Sequence, residues 1–338
     1  MTRRRAGPRP VVIGSCALSG RGIRDPDQLL ASGLAMVDEM ARQADERGWR
    51  LDLAVLRETF AHVDDARPQE AAEPLDGPIV TALAAKAREY GAFVTAPLWL
   101  REGDCIYNSI VLLDPRGEPV GAYHKVFPVV MPDGSIEGGI TPGREFPVFD
   151  LPFGRVGLQN CFDACYDEGW AALAAQEAEL VLMPSGGGST VSAITGHAYR
   201  HGYYVVSSSY RAPAVAIDPL GHEIARAAQD RDAFVVRVDL DFRILPSRFL
   251  WTRGKEIREK YGDRVDFGWH DQEGHCLLTS TDPHLPIGRL VQEERLETLR
   301  EFLARNRAAQ DAARGGPPIL PKRAPRNWYA AGPDSSPG

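Results

Sequence analysis

The sequence predicts an α/β protein built on two packed β-sheets with helices on the outside. Three observations lead there. Helix-like and strand-like segments alternate through the first hundred residues, which implies parallel strands joined by crossover helices. A hairpin pattern follows, which implies antiparallel pairing. The strands are also too numerous for one open sheet of ordinary size, whereas two sheets sharing a core accommodate them. A chain of 338 residues, 43% apolar and 25% charged, has the composition for a core of that extent.

Residues 10–13 read as a buried strand, followed by a loop containing Gly20-Arg21-Gly22. Asp25-Pro26-Asp27 caps a helix that runs to about residue 47, with Gly48 as its stop. Leu30, Leu34, Val37 and Ala41 recur in it at helical spacing. Residues 51–56 form a second strand, 78–90 a helix closed by Gly91, and 93–98 a third strand. Residues 106–113 and 118–124 make a hairpin around Asp114-Pro115-Arg116-Gly117, a turn-forming sequence. A Pro/Gly-rich loop covers 127–144, and strands at 148–151 and 156–160 come next. After a helix at 170–176, a strand at 180–183 ends in Pro184-Ser185-Gly186-Gly187-Gly188. A helix to about residue 201 leads to a strand at 203–208, and short strands fall at 214–217, 223–227 and 234–238.

Beyond about residue 241 the pattern changes. Residues 241–285 are rich in charge, glycine and aromatics, with little periodicity. Residues 288–314 read as one strongly charged helix with Leu290, Leu296, Leu299, Phe302 and Leu303 as its apolar stripe. Residues 315–338 hold six prolines and are expected to form an extended arm or to be disordered. The expected division is therefore a principal domain over 1–240, an extension over 241–314 and the arm.

Composition excludes several classes of function. A net charge of −7 with dispersed charges gives no footprint for nucleic acid. No stretch approaches the roughly 18 apolar residues of a membrane span. Met1-Thr2-Arg3-Arg4-Arg5 is basic, but no apolar segment long enough for a secretory leader follows it. Five scattered cysteines, an odd number, fit a reducing compartment, so a cytoplasmic location is expected.

One turn concentrates the chemistry. Gly157-Leu158-Gln159-Asn160-Cys161-Phe162-Asp163 joins a strand to a helix, a place that lifts a thiol out of a sheet. The first amides of the following helix favour a thiolate and can hold an oxyanion. A cysteine alone proves little, because buried free cysteines mostly act as small apolar groups. Two other strand ends give it company: Glu58 and Lys125 close the strands at 51–56 and 118–124. A carboxylate, an ammonium and a thiol meet if these strands end on one edge. Taken singly, Glu58 and Lys125 would be solvated surface residues.

The same residues carry a family resemblance. Val55-Leu56-Arg57-Glu58-Thr59-Phe60 resembles the "lPEtF" segment of the nitrilase superfamily of carbon-nitrogen hydrolases. Tyr107-Asn108-Ser109 through Tyr123-His124-Lys125 resembles its "YNs…Y.K" segment, and Thr141-Pro142-Gly143 its "f.pG". Gly157 through Cys161-Phe162-Asp163, with Glu168, is similar to "G..iCyD..fpE". Order and spacing agree from about residue 10 to 239. The resemblance implies a four-layer αββα sandwich with a C-terminal helical extension and arm. It also implies a Glu-Lys-Cys triad: Cys161 as nucleophile, Glu58 as general base, and Lys125 with the Phe162 amide as oxyanion stabilisers. Glu137 falls where many members place a second glutamate, and Tyr107 and Ser185 are further expected substrate-binding or oxyanion positions. No cofactor and no metal are implied. The expected partner is a small amide or nitrile, and members commonly pair through C-terminal tails, so a homodimer or larger homo-oligomer is expected.

Departures from the family pattern bear on the substrate. Arg57 replaces a usual proline and is expected to point outward, while Asn160 replaces a branched aliphatic. Cys165 stands where members acting on N-carbamoyl amino acids often have an arginine that grips the substrate carboxylate, which counts against that class. Residues 185–198 are short and Gly-rich, without the customary Trp, and the "RA.EN" helix reads His197-Ala198-Tyr199-Arg200-His201. Phe162-Asp163 after the cysteine follows the amidase pattern, so amide hydrolysis is favoured over nitrile hydrolysis. Two other classes stay open at this point. Cys161-x3-Cys165 and His197-x3-His201 have zinc-compatible spacings, although a zinc-bound thiol is no nucleophile. A catalytically silent binding protein on the same fold is the third reading.

Overall fold

The computed structural model describes residues 7–187, 191–210, 213–269 and 274–319. The basic N-terminal residues and most of the expected arm lie outside these ranges.

The first half of the chain alternates as its pattern requires. β1 (Pro10–Ala17), α1 (Pro26–Glu46), β2 (Leu53–Val55), α2 (Pro68–Ala71), α3 (Pro78–Tyr90) and β3 (Phe93–Glu102) lead into a hairpin of β4 (Cys105–Leu113) and β5 (Pro119–His124). The second half runs β6 (Val148–Leu151), β7 (Gly154–Leu158), α4 (Asp167–Ala175), β8 (Leu180–Met183), α5 (Val191–His201) and β9 (Tyr204–Ser207). β10 (Ala214–Ile217), β11 (Glu223–Ala227) and β12 (Asp232–Asp239) complete it. Caps account for the helix limits. Asp25 accepts from the Asp27 amide, Pro26 opens α1 where no amide is needed, and Gly91 closes α3 in the left-handed region.

Twelve strands divide into two six-stranded sheets, ordered β12-β1-β2-β3-β4-β5 and β11-β10-β9-β8-β7-β6. Strand periodicity assigns their faces. Val11 and Ile13 of β1 join Leu180 and Leu182 of β8 in the core between the sheets. Val12 turns outward to Val37 and Met40 of α1, and Val181 and Met183 turn outward to Trp170 and Ile194. The result is four layers in the order helix, sheet, sheet, helix. Gly14 of β1 permits the close approach of α1, since a Cβ there would lie 2.7 Å from Met40.

β1, β2 and β3 are parallel, and the antiparallel hairpin returns β5 to the same direction. β7, β8 and β9 are parallel in the other sheet. Cross-sheet hydrogen bonds align the two sets of carboxyl ends: the Ser208 hydroxyl donates to Leu56 O at 2.8 Å and the Leu18 amide to Ser209 O at 2.9 Å. The ends of β2, β5, β7 and β8 thus form one rim.

The segment after residue 241 holds more structure than its weak periodicity suggested. β13 (Arg243–Leu245), β14 (Val265–Trp269) and β15 (Cys276–Ser280) form a third sheet in the order β13-β15-β14. Leu245, Ile257, Tyr261, Leu278, Ile287 and Leu290 are among the residues that give it its own core. The expected single helix over 288–314 is two helices, Ile287–Glu293 and Leu299–Arg314. Arg295 takes a left-handed φ of +52° that breaks the first, and Thr298 starts the second through a reciprocal cap with Glu301. Leu290 and Leu296 are buried, whereas Leu303 of the same predicted stripe is 56% exposed.

Candidate active site

Three strand ends deliver the carboxylate, the ammonium and the thiol. Glu58 follows β2, Lys125 follows β5 and Cys161 follows β7, and the common rim brings them together. Glu58 and Lys125 are 6% and 1% exposed, respectively. The Lys125 ammonium donates to Glu58 Oε1 at 2.9 Å and to Glu137 Oε1 at 2.5 Å. Glu58 Oε1 also accepts from Asn108 Nδ2 at 2.8 Å, and Oε2 from the Gly186 amide at 2.7 Å. The Cys161 thiol is a hydrogen-bonding neighbour of the same carboxylate.

Backbone strain sits at this point. Thr59, Glu137 and Cys161 all have positive φ, at +45°, +41° and +52°. Such conformations cost on the order of 1–3 kcal/mol each and persist where the surroundings over-determine them. At Cys161 the turn is fixed by its amide, which donates to Pro184 O at 2.8 Å. Asp163 ties that turn to the Lys125 loop: Oδ2 accepts from the Tyr123 hydroxyl at 2.6 Å and the Asn160 amide at 2.9 Å, and Oδ1 from the Phe127 amide at 2.9 Å. Burial pushes Asp163 up to about 6 even though these donors favour its ionised form.

Protonation states follow from the same contacts. Burial alone would raise the Glu58 carboxyl, but the Lys125 ammonium outweighs it and holds Glu58 below the ordinary carboxylate value. Burial likewise opposes the Lys125 charge, and the carboxylates of Glu58 and Glu137 with the thiol prevail, so Lys125 stays protonated. Burial first, and the Glu58 carboxylate second, push Cys161 up to about 11 against the pull of Lys125 and the Ser185 hydroxyl. At neutral pH the site is therefore a neutral thiol beside an ionised carboxylate and a fixed cation. That combination is able to pass a proton from sulfur to Glu58, which is what a thiol needs to act as a nucleophile.

Glu58, Asn108, Lys125, Glu137 and Cys161 line one open cavity of about 1050 Å³. Gly186 and Gly187 keep it clear. A side chain at Gly186 would come within 2.7 Å of Glu58, and one at Gly187 within 3.7 Å of the thiol. Phe162 stands at the start of a 3-10 turn (Cys161–Cys165), and its amide has no acceptor among the described residues.

Three sequence expectations change. Tyr107 does not reach the cavity; its ring stacks on His124 with centroids 4.1 Å apart. Alternation along β4 turns Asn108 inward instead, and Asn108 bridges Glu58 and Glu137. An amide set among the apolar residues of a strand was the available signal. Ser185 is buried behind the thiol and does not line the cavity. Arg57 does not point outward: it is 3% exposed and donates to the carbonyls of Glu58 and Phe60 at 2.8 and 3.1 Å. The sharp turn after β2 points those carbonyls inward, and a guanidinium satisfies several at once. Of the histidines weighed as ligands, His197 lies parallel to the buried Trp170 ring, centroids 4.4 Å apart, and its Nε2 is 3.1 Å from Ala164 O.

Residues 13–243 match the family described as carbon-nitrogen hydrolase. The chain is a carbon-nitrogen hydrolase. Among similar proteins is a citrullinase from Francisella tularensis, 24% identical over 269 residues, covering 70% of this hydrolase and 93% of the relative. A carbon-nitrogen hydrolase from Helicobacter pylori superposes with a TM-score of 0.61 at 17% identity, over 75% of this chain and 93% of that one. An amidase mutant from Nesterenkonia sp. AN1, carrying the acetamide moiety of fluoroacetamide on its active-site cysteine, gives a TM-score of 0.55 at 20% identity. That alignment covers 76% of this chain and 98% of the amidase. The nitrilase-type fold of this hydrolase is thereby shown. Among its described residues no helix is long and apolar enough to cross a membrane.

Proposed function

We propose that the enzyme releases ammonia or an amine from a small amide through a thioester on Cys161. The observation that carries this reading is the buried contact of one carboxylate, Glu58, with both the Cys161 thiol and the Lys125 ammonium. Glu58 takes the thiol proton as sulfur bonds to the amide carbon. The resulting oxyanion is held by Lys125 and the free Phe162 amide. Collapse breaks the C–N bond, and Glu58 returns its proton to the departing nitrogen. Water then gives a proton to Glu58 and attacks the thioester, releasing the acid and restoring the thiol. Glu137 holds the ammonium in place through its 2.5 Å contact and anchors its own loop by accepting from the Val129 amide at 3.0 Å. The cysteine adduct of the Nesterenkonia amidase supports the covalent route.

The test is a panel of small amides and nitriles, read by ammonia release and by the mass of the intact protein. Amides are expected to turn over and to leave an acyl adduct mapped to Cys161. Turnover of nitriles alone would replace the reading with nitrile hydrolysis.

A pH profile checks the assigned protonation states. The reactive form pairs ionised Glu58, held below its ordinary 4.5, with a thiol that titrates near 11. For a substrate that does not titrate, kcat/KM is expected to stay flat from about pH 5 to about pH 10 and to fall outside. An acid limb near pH 7 would mean that another group is the base.

A further inference from the structure

We infer that the substrate carries an α-amino acid head remote from the bond that is cut, so that the enzyme acts on an ω-amide or ureido amino acid. This rests on the amide-hydrolase reading above. The cavity has three zones. Its floor is polar and holds Glu58, Asn108, Lys125 and Cys161. Its walls include the apolar faces of Pro68, Trp99 and Val129, and its exposed rim carries Arg67 and Asp133.

The floor offers no place for a substrate carboxylate. The Lys125 ammonium already serves Glu58 and Glu137, and an anion beside the thiol would face both of those carboxylates. Cys165 brings no cation to that turn. A carboxylate next to the scissile group is therefore disfavoured, whereas a neutral amide or ureido group meets no such penalty.

The rim is different. Arg67 makes no ion pair with any described residue. Asp133 uses one carboxylate oxygen to accept from the Ser135 amide and hydroxyl, at 2.9 and 2.7 Å, and its other oxygen has no partner among the described residues. The two come from different loops and do not pair with each other. One open cation and one open anion at the mouth match the carboxylate and ammonium of an amino acid head. The apolar walls match the methylene chain between that head and the reacting group.

The experiment compares four amides that share the butanamide chain: glutamine, its deaminated analogue glutaramate, 4-aminobutanamide, which lacks the carboxylate, and butanamide, which lacks both. Citrulline and the next longer homologue of glutamine extend the series towards the full depth of the cavity. The zwitterions are expected to exceed butanamide at least about ten-fold in kcat/KM, mostly through KM, as charge-assisted hydrogen bonds supply. Arg67→Ala is expected to lower kcat/KM about ten-fold more for carboxylate-bearing members than for butanamide, with partial recovery in Arg67→Lys. Asp133→Asn is expected to do the same for the ammonium-bearing members. Equal kcat/KM across the four amides, or variants that lower all four alike, would overturn the inference and leave the amide-hydrolase reading standing. No turnover of any amide and no adduct on Cys161 would sink both.

Discussion

Cys161→Ala is expected to take amide turnover to background, a loss on the order of 10⁶-fold in kcat, as in hydrolases whose covalent nucleophile is removed. No other thiol is placed to substitute. Cys16 and Cys276 are buried in apolar clusters away from the cavity, and neither Cys105 nor Cys165 lines it. The fold should survive. The substitution removes one sulfur atom from the edge of an open cavity, so the stability change is expected to stay within about 1 kcal/mol. The pair of measurements is steady-state ammonia release and urea unfolding followed by circular dichroism. Full stability with no turnover supports the assigned role. Activity above a few percent of wild type would move the chemistry away from Cys161, and a wild type silent on every substrate would favour a binding protein.

Lys125→Met is expected to lose both activity and stability, and the way its stability depends on pH identifies the cause. Removing one partner of a buried ion pair typically costs about 3–5 kcal/mol, because the remaining charge is stranded. Here two carboxylates are stranded, Glu58 and the half-buried Glu137. Loss of an oxyanion donor alone accounts for about 10²–10³ in kcat. In the wild type the Glu58 pKa is depressed, so its contribution is present above the unfolded value of 4.5 and is lost as pH falls through the folded one. In the variant the pull of the ammonium is gone, and only hydrogen bonds from Cys161, Asn108 and the Gly186 amide still oppose burial, so the Glu58 pKa is higher than in the wild type. Ionised Glu58 therefore contributes less stability in the variant than in the wild type above the variant's Glu58 pKa. The gap in unfolding free energy between the two proteins is expected to narrow as pH is lowered through that pKa. A gap independent of pH would mean that Lys125 stabilises by packing and not by charge.

The C-terminal region shows where local reading reaches its limit. Apolar residues recur through residues 288–314, but Leu290 and Leu296 are six apart, so on a helix of 3.6 residues per turn the stripe changes face where the chain turns at Arg295. Glu294 anchors this turn. Its carboxylate accepts from Lys260 and from the Tyr261 hydroxyl, both at 2.6 Å, and it receives Arg253 as well. These partners lie some thirty to forty residues upstream, beyond any local window. The Thr298–Glu301 cap was present in the sequence as Thr-x-x-Glu, a second local sign of the break.

By itself the sequence determined the kinds of most elements as far as about residue 241 and the residues standing at the ends of β2, β5 and β7. These are local properties: periodicity marks an element, and a strand's last residue needs no partner to be identified. Tertiary structure alone decided that those ends share one rim, because strand direction and cross-sheet pairing are set by contacts remote along the chain. It also decided that Asn108 rather than Tyr107 enters the site, that Arg57 is drawn inward by carbonyls a turn exposes, and that Arg67 and Asp133 meet over one cavity. In each case a side chain's direction is fixed by hydrogen-bond and charge partners that only folding brings within reach.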